Sequence, residues 1–477
     1  MKKRILAMLL LVALCMSLTL FTGCNQASNA TPNFDVPEVG YDGSEVTVTF
    51  YHTMSAEKLQ PALEAAIEEF NKLYPNIHIV HSQVGGYDEV RDQIATEIPV
   101  GNQPDIAYCY PDHVALYNKA KAAVTLDNLI ASTISVTRAD GTTEVLGLTA
   151  EQKADFIETY YNEGKVFGSE LMYTLPLSKS TEVLYYNKDF FTANKLKVPT
   201  TWEEMEQVCA QIKALDPNCI PLGYDSEANW FITMCEQYGS PYTSATGDHY
   251  LFDNETNRNF VKKFREWFQK GYVTTQTLYG KYTSGMFTEQ NPGPEAPNSY
   301  MSIGSTGGAT HQLPKRQDGS YAFEVGIAPI PQVNADNPKA ISQGPSLCLF
   351  QNDNPQVTVA AWLFAKYLCT DVTFQAEFSM ASGYMPVIKS VKENPIYKEW
   401  LESANGSQYI AAMCVKVGLE NEASYYTSPA FVGSSTARDQ VGSLLNACIS
   451  ATNVTDVDTM IKKAFEDAID ECEYQGG

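Results

Sequence analysis

Residues 175–202, LPLSKSTEVLYYNKDFFTANKLKVPTTW, constrain what this chain can fold into more than any other stretch. Glu182 to Tyr186 is dense in β-branched and aromatic residues and reads as a short strand. Asn187 and Asp189 end it with turn chemistry. Pro199-Thr-Thr-Trp-Glu-Glu then starts a helix, with Thr201 as N-cap and Glu203 and Glu204 in the first turn, where carboxylates suit the helix dipole. The polar run from Ser178 to Thr181 stands just ahead of the strand, where a chain would cross between two lobes.

The region before it has a parallel α/β rhythm. Val46 to Phe50 alternates like a first strand, and Leu59 to Leu73 carries apolar residues on one helical face. That helix ends at Tyr74-Pro75-Asn76, and Ile77 to Val80 is the next strand. A further helix, Tyr87 to Glu97, leads to a third strand over Pro104 to Tyr108. Strand, helix, strand in that order makes a parallel unit. Later, helices dominate from Pro199 to Tyr282, Val325 to Pro329 reads as a return strand, and Val357 to Leu368 as an amphipathic helix. Residues 131–170 are looser, and Tyr279 to Pro297, rich in Gly, Pro and Thr, reads as a surface loop. At 477 residues the chain is long enough for two domains.

The amino terminus is a processing segment. Lys2-Lys3-Arg4 is followed by an apolar run from Ile5 to Phe21 and by Thr22-Gly23-Cys24. Small residues directly before a cysteine resemble a bacterial lipobox, which implies a signal peptide over 1–23, lipidation of Cys24 and a disordered tether over 24–44. The same apolar run is at the short limit for a membrane-spanning anchor. Loss of the three cations takes the formal net charge from −23 to −26, which argues against nucleic acid or an anionic membrane as partner of the protein body. Nine cysteines remain beyond Cys24, an odd number with no CxxC, so buried free thiols are expected; Cys209 and Cys219 are the one pair near enough in sequence to suspect.

Motifs for covalent chemistry are missing. No Gly-x-Ser-x-Gly, HExxH, P-loop or GxGxxG occurs, so neither cofactor nor metal is expected and any ATPase must be another chain. A secreted carbohydrate-active hydrolase needs only two suitably spaced carboxylates, and the 56 acidic residues leave that reading open.

The strings LYYNKDFF…PTTWEEM, FYHTM…FNKLYPNIHIV…PDI, Gln343-Gly-Pro-Ser-Leu347 and Ser382-Gly-Tyr-Met-Pro386 together resemble the extracellular solute-binding proteins of bacterial ABC importers. They belong with the maltose-binding-like group, and in wording are closest to members that bind glycerol-3-phosphate and glycerophosphodiesters. The resemblance covers nearly all the chain from about Val46, in scattered short motifs. It implies an α/β, periplasmic-binding-protein type II fold: two α/β lobes joined by a three-segment hinge around a ligand cleft. The crossings fall near 181, 342 and 380, giving a first lobe of 45–180 with 343–379 and a second of 181–342 with 380–477. Such a protein captures a small molecule by hinge closure and delivers it, as a lipid-anchored monomer outside the membrane, to permease subunits. The ligand is either a glycerol-phosphate compound or a neutral mono- or oligosaccharide.

Ligand-contacting positions carry over residue by residue. Tyr87 follows Gly85-Gly86, Asp112 stands after the third strand, Ser180 precedes the hinge strand, and Trp230 matches a cleft tryptophan of relatives, with a core tryptophan as the alternative. Ser305, Gly344 and Tyr384 match further contact positions; a bare backbone at Gly344 would let a ligand approach its N–H. Arg438 matches an arginine that holds phosphate in a bidentate fork, although here Asp439 follows it and an intramolecular salt bridge at a helix start is the alternative. Lys179 replaces a small polar residue and reads either as a cleft cation or as a solvated surface lysine.

Overall fold

A computed structural model describes residues 31–289 and 297–476. From Pro32 onward these form one compact unit, with helices packed around two five-stranded sheets. In chain order the strands of the sheets are β1 (Val46–His52), β2 (Ile77–Gln83), β3 (Ile106–Cys109), β4 (Leu175–Pro176), β5 (Glu182–Asn187), β6 (Leu222–Tyr224), β7 (Val273–Thr275), β8 (Met301–Ser305), β9 (Val325–Pro329) and β10 (Ser346–Leu349). The helices that matter here are α1 (Gln60–Leu73), α2 (Tyr87–Glu97), α3 (Pro111–Lys119), α4 (Trp202–Leu215), α5 (Glu227–Tyr238), α6 (Glu255–Gln269), α7 (Pro355–Thr370), α8 (Val372–Ser382), α9 (Pro395–Ser403), α10 (Ser407–Glu420), α11 (Ser434–Ser450) and α12 (Val457–Gly476).

The first sheet has the order β2-β1-β3-β10-β4. β1 pairs parallel with β2 and with β3, as strand–helix–strand connections require, whereas β10 lies antiparallel to both β3 and β4. The second sheet has the order β9-β5-β8-β6-β7, with β5 antiparallel to its two neighbours. The pairing explains the chemistry of the hinge stretch. Five consecutive residues of β5, from Val183 to Asn187, face β9 while Glu182 to Tyr186 face β8, so β5 is a central strand and its side chains are nearly all buried. Asn187 does end the strand, and it does so by accepting the N–H of Phe190 and starting a helix at once. Thr201 caps α4 through the N–H of Glu204, as its sequence suggested.

Among the described residues three apolar cores form, two of them large and a smaller one between α2, α3 and the first sheet. One of the large cores lies around the first sheet and centres on α7, where Trp362, Phe364 and Leu368 are fully buried. That helix is apolar nearly all round because strands and helices cover it on every side. The other lies under the second sheet, where Trp202, Trp230, Phe264 and Trp267 pack against α11 and α12. All nine cysteines beyond Cys24 are free and buried. Among the described residues no single helix is long and apolar enough to cross a membrane.

Two expectations are corrected. Residues 32–44 are not a free tether. Asn33 exchanges hydrogen bonds with the backbone and hydroxyl of Thr125 and donates to the Ala123 carbonyl, and the Tyr41 ring is buried. Burying that ring and pairing those amides stabilises an ordered approach to β1. The signal peptide, Cys24 and the rest of the tether lie outside the described residues. The excursion over 131–170 is also structured, as a hairpin of Ser135–Thr137 with Thr143–Val145 followed by two short helices.

Three segments meet where the chain passes between the sheets. Ser180 exchanges backbone hydrogen bonds with Gln343, at 2.6 and 2.9 Å, and Lys179 exchanges them with Met385, at 3.0 and 2.6 Å. Gly344 has φ +101°, and a Cβ there would lie 2.7 Å from the Ser178 carbonyl. Glycine is needed there so that two backbones can touch. Lys179 is neither a cleft cation nor a surface lysine. Its ammonium is fully buried against the Glu163 carboxylate and also donates to Ser346 Oγ at 3.1 Å. Glu163 in turn accepts from Ser342 Oγ at 2.6 Å and Thr427 Oγ1 at 2.8 Å. Removing one member of such a pair strands the other charge in a low dielectric. Lys179→Met is therefore expected to cost about 3–5 kcal/mol in urea denaturation. Adding Glu163→Gln to it should restore most of that loss; a single variant as stable as the parent contradicts the brace.

Candidate functional site

A cavity opens beside these crossings, at the carboxyl end of β3 and facing the amino terminus of α11. The strand ends leave backbone and short polar side chains exposed there, which is where open α/β sheets hold ligands. Its wall includes Tyr110 and Asp112 from the start of α3, Gln343 and Gly344 from the second crossing, Tyr242 from a loop, and Arg438 from α11. Of the eight residues singled out in the sequence, Asp112, Gly344 and Arg438 line it together.

Arg438 is placed by helix geometry. α11 begins at Ser434 after Gly433 in a left-handed conformation, with no side chain capping it, and Arg438 sits one turn further along. The helix therefore points its positive end, together with a guanidinium, toward the cavity. The guanidinium donates to Asn229 Oδ1, and no carboxylate among the described residues lies within ion-pair distance of it. Burial is the largest single influence and pulls its pKa down, but Asp112, Tyr242, Tyr110 and Glu182 together more than offset it and hold it above the usual arginine value. Asp439 turns away, 4.0 Å from Arg91 of α2, so it is not the partner of Arg438.

Asp112 approaches from the other side, accepting a hydrogen bond from Ser435 Oγ at 3.0 Å. Behind Arg438 lies a buried polar relay. Asn229 Nδ2 donates to Glu182 Oε1 at 3.0 Å and to Gln343 Oε1 at 2.9 Å, and Tyr224 Oη donates to Glu182 Oε2 at 2.6 Å. Burial pushes the Glu182 carboxyl up to about 7, although hydrogen bonds from Tyr224 and Asn229 and the charge of Arg438 act against the rise.

The aromatic residues gather at one edge. Tyr87, the first residue of α2, stacks on Tyr110 at 4.4 Å between centroids and on Tyr108 at 6.3 Å. Its hydroxyl lies 3.3 Å from that of Tyr384, whose ring fills the space over Gly307. Ser305 accepts the N–H of Gly307 and caps a 3-10 turn, while Ser180 is buried in the crossing ladder. Trp230 lies elsewhere. It is fully buried in the second core, stacked on Tyr224 at 5.0 Å and 4.0 Å from the Phe264 ring, so its expected ligand role is corrected to packing.

Reasoning from motifs missed Tyr110, Tyr242, Gln343, Glu163 and Ser428, all of which line the cavity. Tyr110 could have been found, since it directly follows a strand of a parallel unit. Tyr242 and Ser428 sit in loops without local pattern, and only the tertiary fold brings them in.

Comparison with known proteins bears on the family and the fold. Residues 65–405 match the family profile described as "Bacterial extracellular solute-binding protein". The sn-glycerol-3-phosphate-binding periplasmic protein UgpB of Escherichia coli K12 is 24% identical over 358 residues, spanning 72% of this chain and 75% of that protein. UgpB of Mycobacterium tuberculosis, solved in complex with glycerophosphocholine, superposes with a TM-score of 0.68 at 18% identity, covering 89% of this chain and 98% of that one. The cyclic α-maltosyl-1,6-maltose binding protein of Arthrobacter globiformis superposes with a TM-score of 0.66 at 17% identity, covering 90% and 99%. These two structures establish a shared two-lobed fold.

Trp230 gives a direct check on the geometry. Trp230→Ala should destabilise the protein by about 3–5 kcal/mol, and Trp230→Phe should leave ligand affinity unchanged in calorimetry. A loss of about tenfold or more with the phenylalanine would put the ring in the cleft.

Proposed function

Because the chain belongs to the family of bacterial extracellular solute-binding proteins, we propose that its cleft captures a glycerol-phosphate compound by closing two lobes around it. The chain is the solute-binding component of an ABC importer, and its relatives are binding proteins rather than enzymes. One observation carries the ligand reading: Arg438 is the sole cation lining the cavity among the described residues, and its hydrogen-bond partner is a neutral amide. A guanidinium with free donors, set at an uncapped helix terminus, is an anion site that a phosphate can fill bidentately. Asp112 then faces the glycerol hydroxyls as an acceptor.

A neutral oligosaccharide is the second reading. The Tyr87–Tyr110 stack and Tyr242 supply faces for sugar rings, and the Arthrobacter neighbour binds a maltosyl ring compound.

Closure follows from the position of the contacts. Tyr87 and Asp112 belong to the first sheet's elements, Arg438 to those of the second. We take the first lobe as 45–180 with 343–379 and the second as 181–342 with the carboxyl-terminal helices. The third passage falls near 380, at the segment whose Met385 pairs with Lys179. Ligand touching both lobes favours the closed state, and the closed form is what a permease would engage. We also propose that Cys24 carries a lipid and anchors the protein on the outer face of the membrane.

Two measurements test these proposals. Thermal melting of residues 32–477 with glycerol-3-phosphate, glycerophosphocholine, maltose and short oligosaccharides should show stabilisation by the phosphate compounds, roughly 2.7 kcal/mol at about 100 times Kd. Arg438→Ala should abolish it, whereas a shift with sugars alone rejects the phosphate reading. For the anchor, Cys24→Ser should release the protein from the membrane fraction; unchanged retention rejects lipidation.

A further inference from the structure

The relay behind Arg438 has more in it than packing requires. Glu182 is 2% exposed, and both of its oxygens are engaged, Oε1 by Asn229 and Oε2 by Tyr224. Asn229 spends its amide hydrogens on Glu182 and Gln343, which turns Oδ1 toward the Arg438 guanidinium. A carboxylate that does not line the cavity thus sits one amide away from the cation that does. From this arrangement we infer that Glu182 is a positioning residue, which holds Arg438 through Asn229 and takes up a proton when an anionic group settles on that guanidinium. The inference rests on the phosphate reading of the cleft.

The charges around Glu182 are few. Its own sheet contributes Tyr224 and, at the end of β6, Asp225, whose carboxylate is held by the N–H and hydroxyl of Thr283, each at 2.7 Å. α5 contributes the neutral Asn229, α11 contributes Arg438, and the short strand Tyr425–Tyr426 contributes the Tyr426 phenol. Arg438 is the single cation in this set. An anion bound to it shares that charge and adds a negative one, so the ionised form of Glu182 loses its only counter-charge. The proton comes from bulk water and forms an O–H bond on the carboxylate; no bond of the ligand changes. The Tyr224 hydroxyl can turn from donor to acceptor, so the neutral carboxyl keeps its partners. Binding and protonation are then linked, and each strengthens the other.

The sign is definite. Affinity for an anion should rise as pH falls through the region where Glu182 titrates, whereas affinity for a neutral sugar should not change. The probe is glycerophosphocholine, whose phosphodiester stays ionised throughout, with Kd measured by calorimetry from about pH 8 to about pH 6. If the Glu182 midpoint rises by about one unit on binding, affinity tightens by about fivefold across that range. Glu182→Gln should flatten the profile, and a flat profile in the parent protein overturns the inference. A second arm needs no ligand. The 13C carboxyl resonance of Glu182, assigned by its absence in Glu182→Gln, should titrate at a higher pH in Arg438→Met than in the parent, and an unmoved midpoint overturns the coupling. If neither glycerophosphocholine nor glycerol-3-phosphate binds, the phosphate reading has failed, and this second arm decides separately whether Glu182 and Arg438 act together.

Discussion

The buried ion pair of Lys179 with Glu163 is the contact on which the rest of the architecture depends. Lys179 lies on the first crossing, and its ammonium reaches Ser346 and the Gly344 carbonyl on the second. Its backbone pairs with Met385 on the third segment. Glu163 passes the tie on to Ser342 and to Thr427, which lies just before α11. One pair of charges therefore joins the places where the chain passes between sheets. Taking both from water is costly, and the surrounding hydroxyls and carbonyls offset that cost only in this geometry. The consequence for function is indirect. With Lys179 neutralised inside the brace, Arg438 remains as the cation facing the cavity.

The contacts that bridge the two halves are small by comparison. Ser435 meets Asp112 at 3.0 Å, Tyr87 meets Tyr384 at 3.3 Å, and Lys58 donates to Thr310 at 2.7 Å. Arg91 stands 4.0 Å from Asp439. Exposed pairs of this kind contribute about 0–1 kcal/mol each, and one neutral hydrogen bond about 1 kcal/mol. A protein held shut only by these would open readily. In the proposed reading, a ligand bonded to Arg438 on one side and Asp112 on the other would add the larger share, which is how a binding protein couples occupancy to shape.

Much of the fold was legible because local and tertiary preferences coincide. The helix over Tyr87–Glu97 and the Thr201 cap follow from local pattern, and β5 was marked by its β-branched and aromatic residues. Of the candidate site residues, Asp112, Gly344 and Arg438 were placed on the cavity wall by their sequence context, and the missing Cβ of Gly344 also serves the neighbouring backbone. Trp230 and Lys179 misled for one physical cause. A tryptophan near a strand end and a lysine near a crossing each have two stable homes, and only the packing partners, Phe264 in one case and Glu163 in the other, decide between them. Residues 32–44 look like linker because their polar atoms find partners only about 90 positions away.

Closure on an anion held by Arg438 is the central claim, and a distance across the cleft tests it most directly. The nine native cysteines of residues 32–477 are buried, so spin labels placed by Val100→Cys and Leu215→Cys, at exposed sites on opposite halves, report that distance. Saturating glycerophosphocholine should collapse a broad distance distribution into one shorter population in the labelled protein, and should fail to do so when Arg438→Ala is added. An unchanged distribution with ligand demonstrably bound would contradict the account.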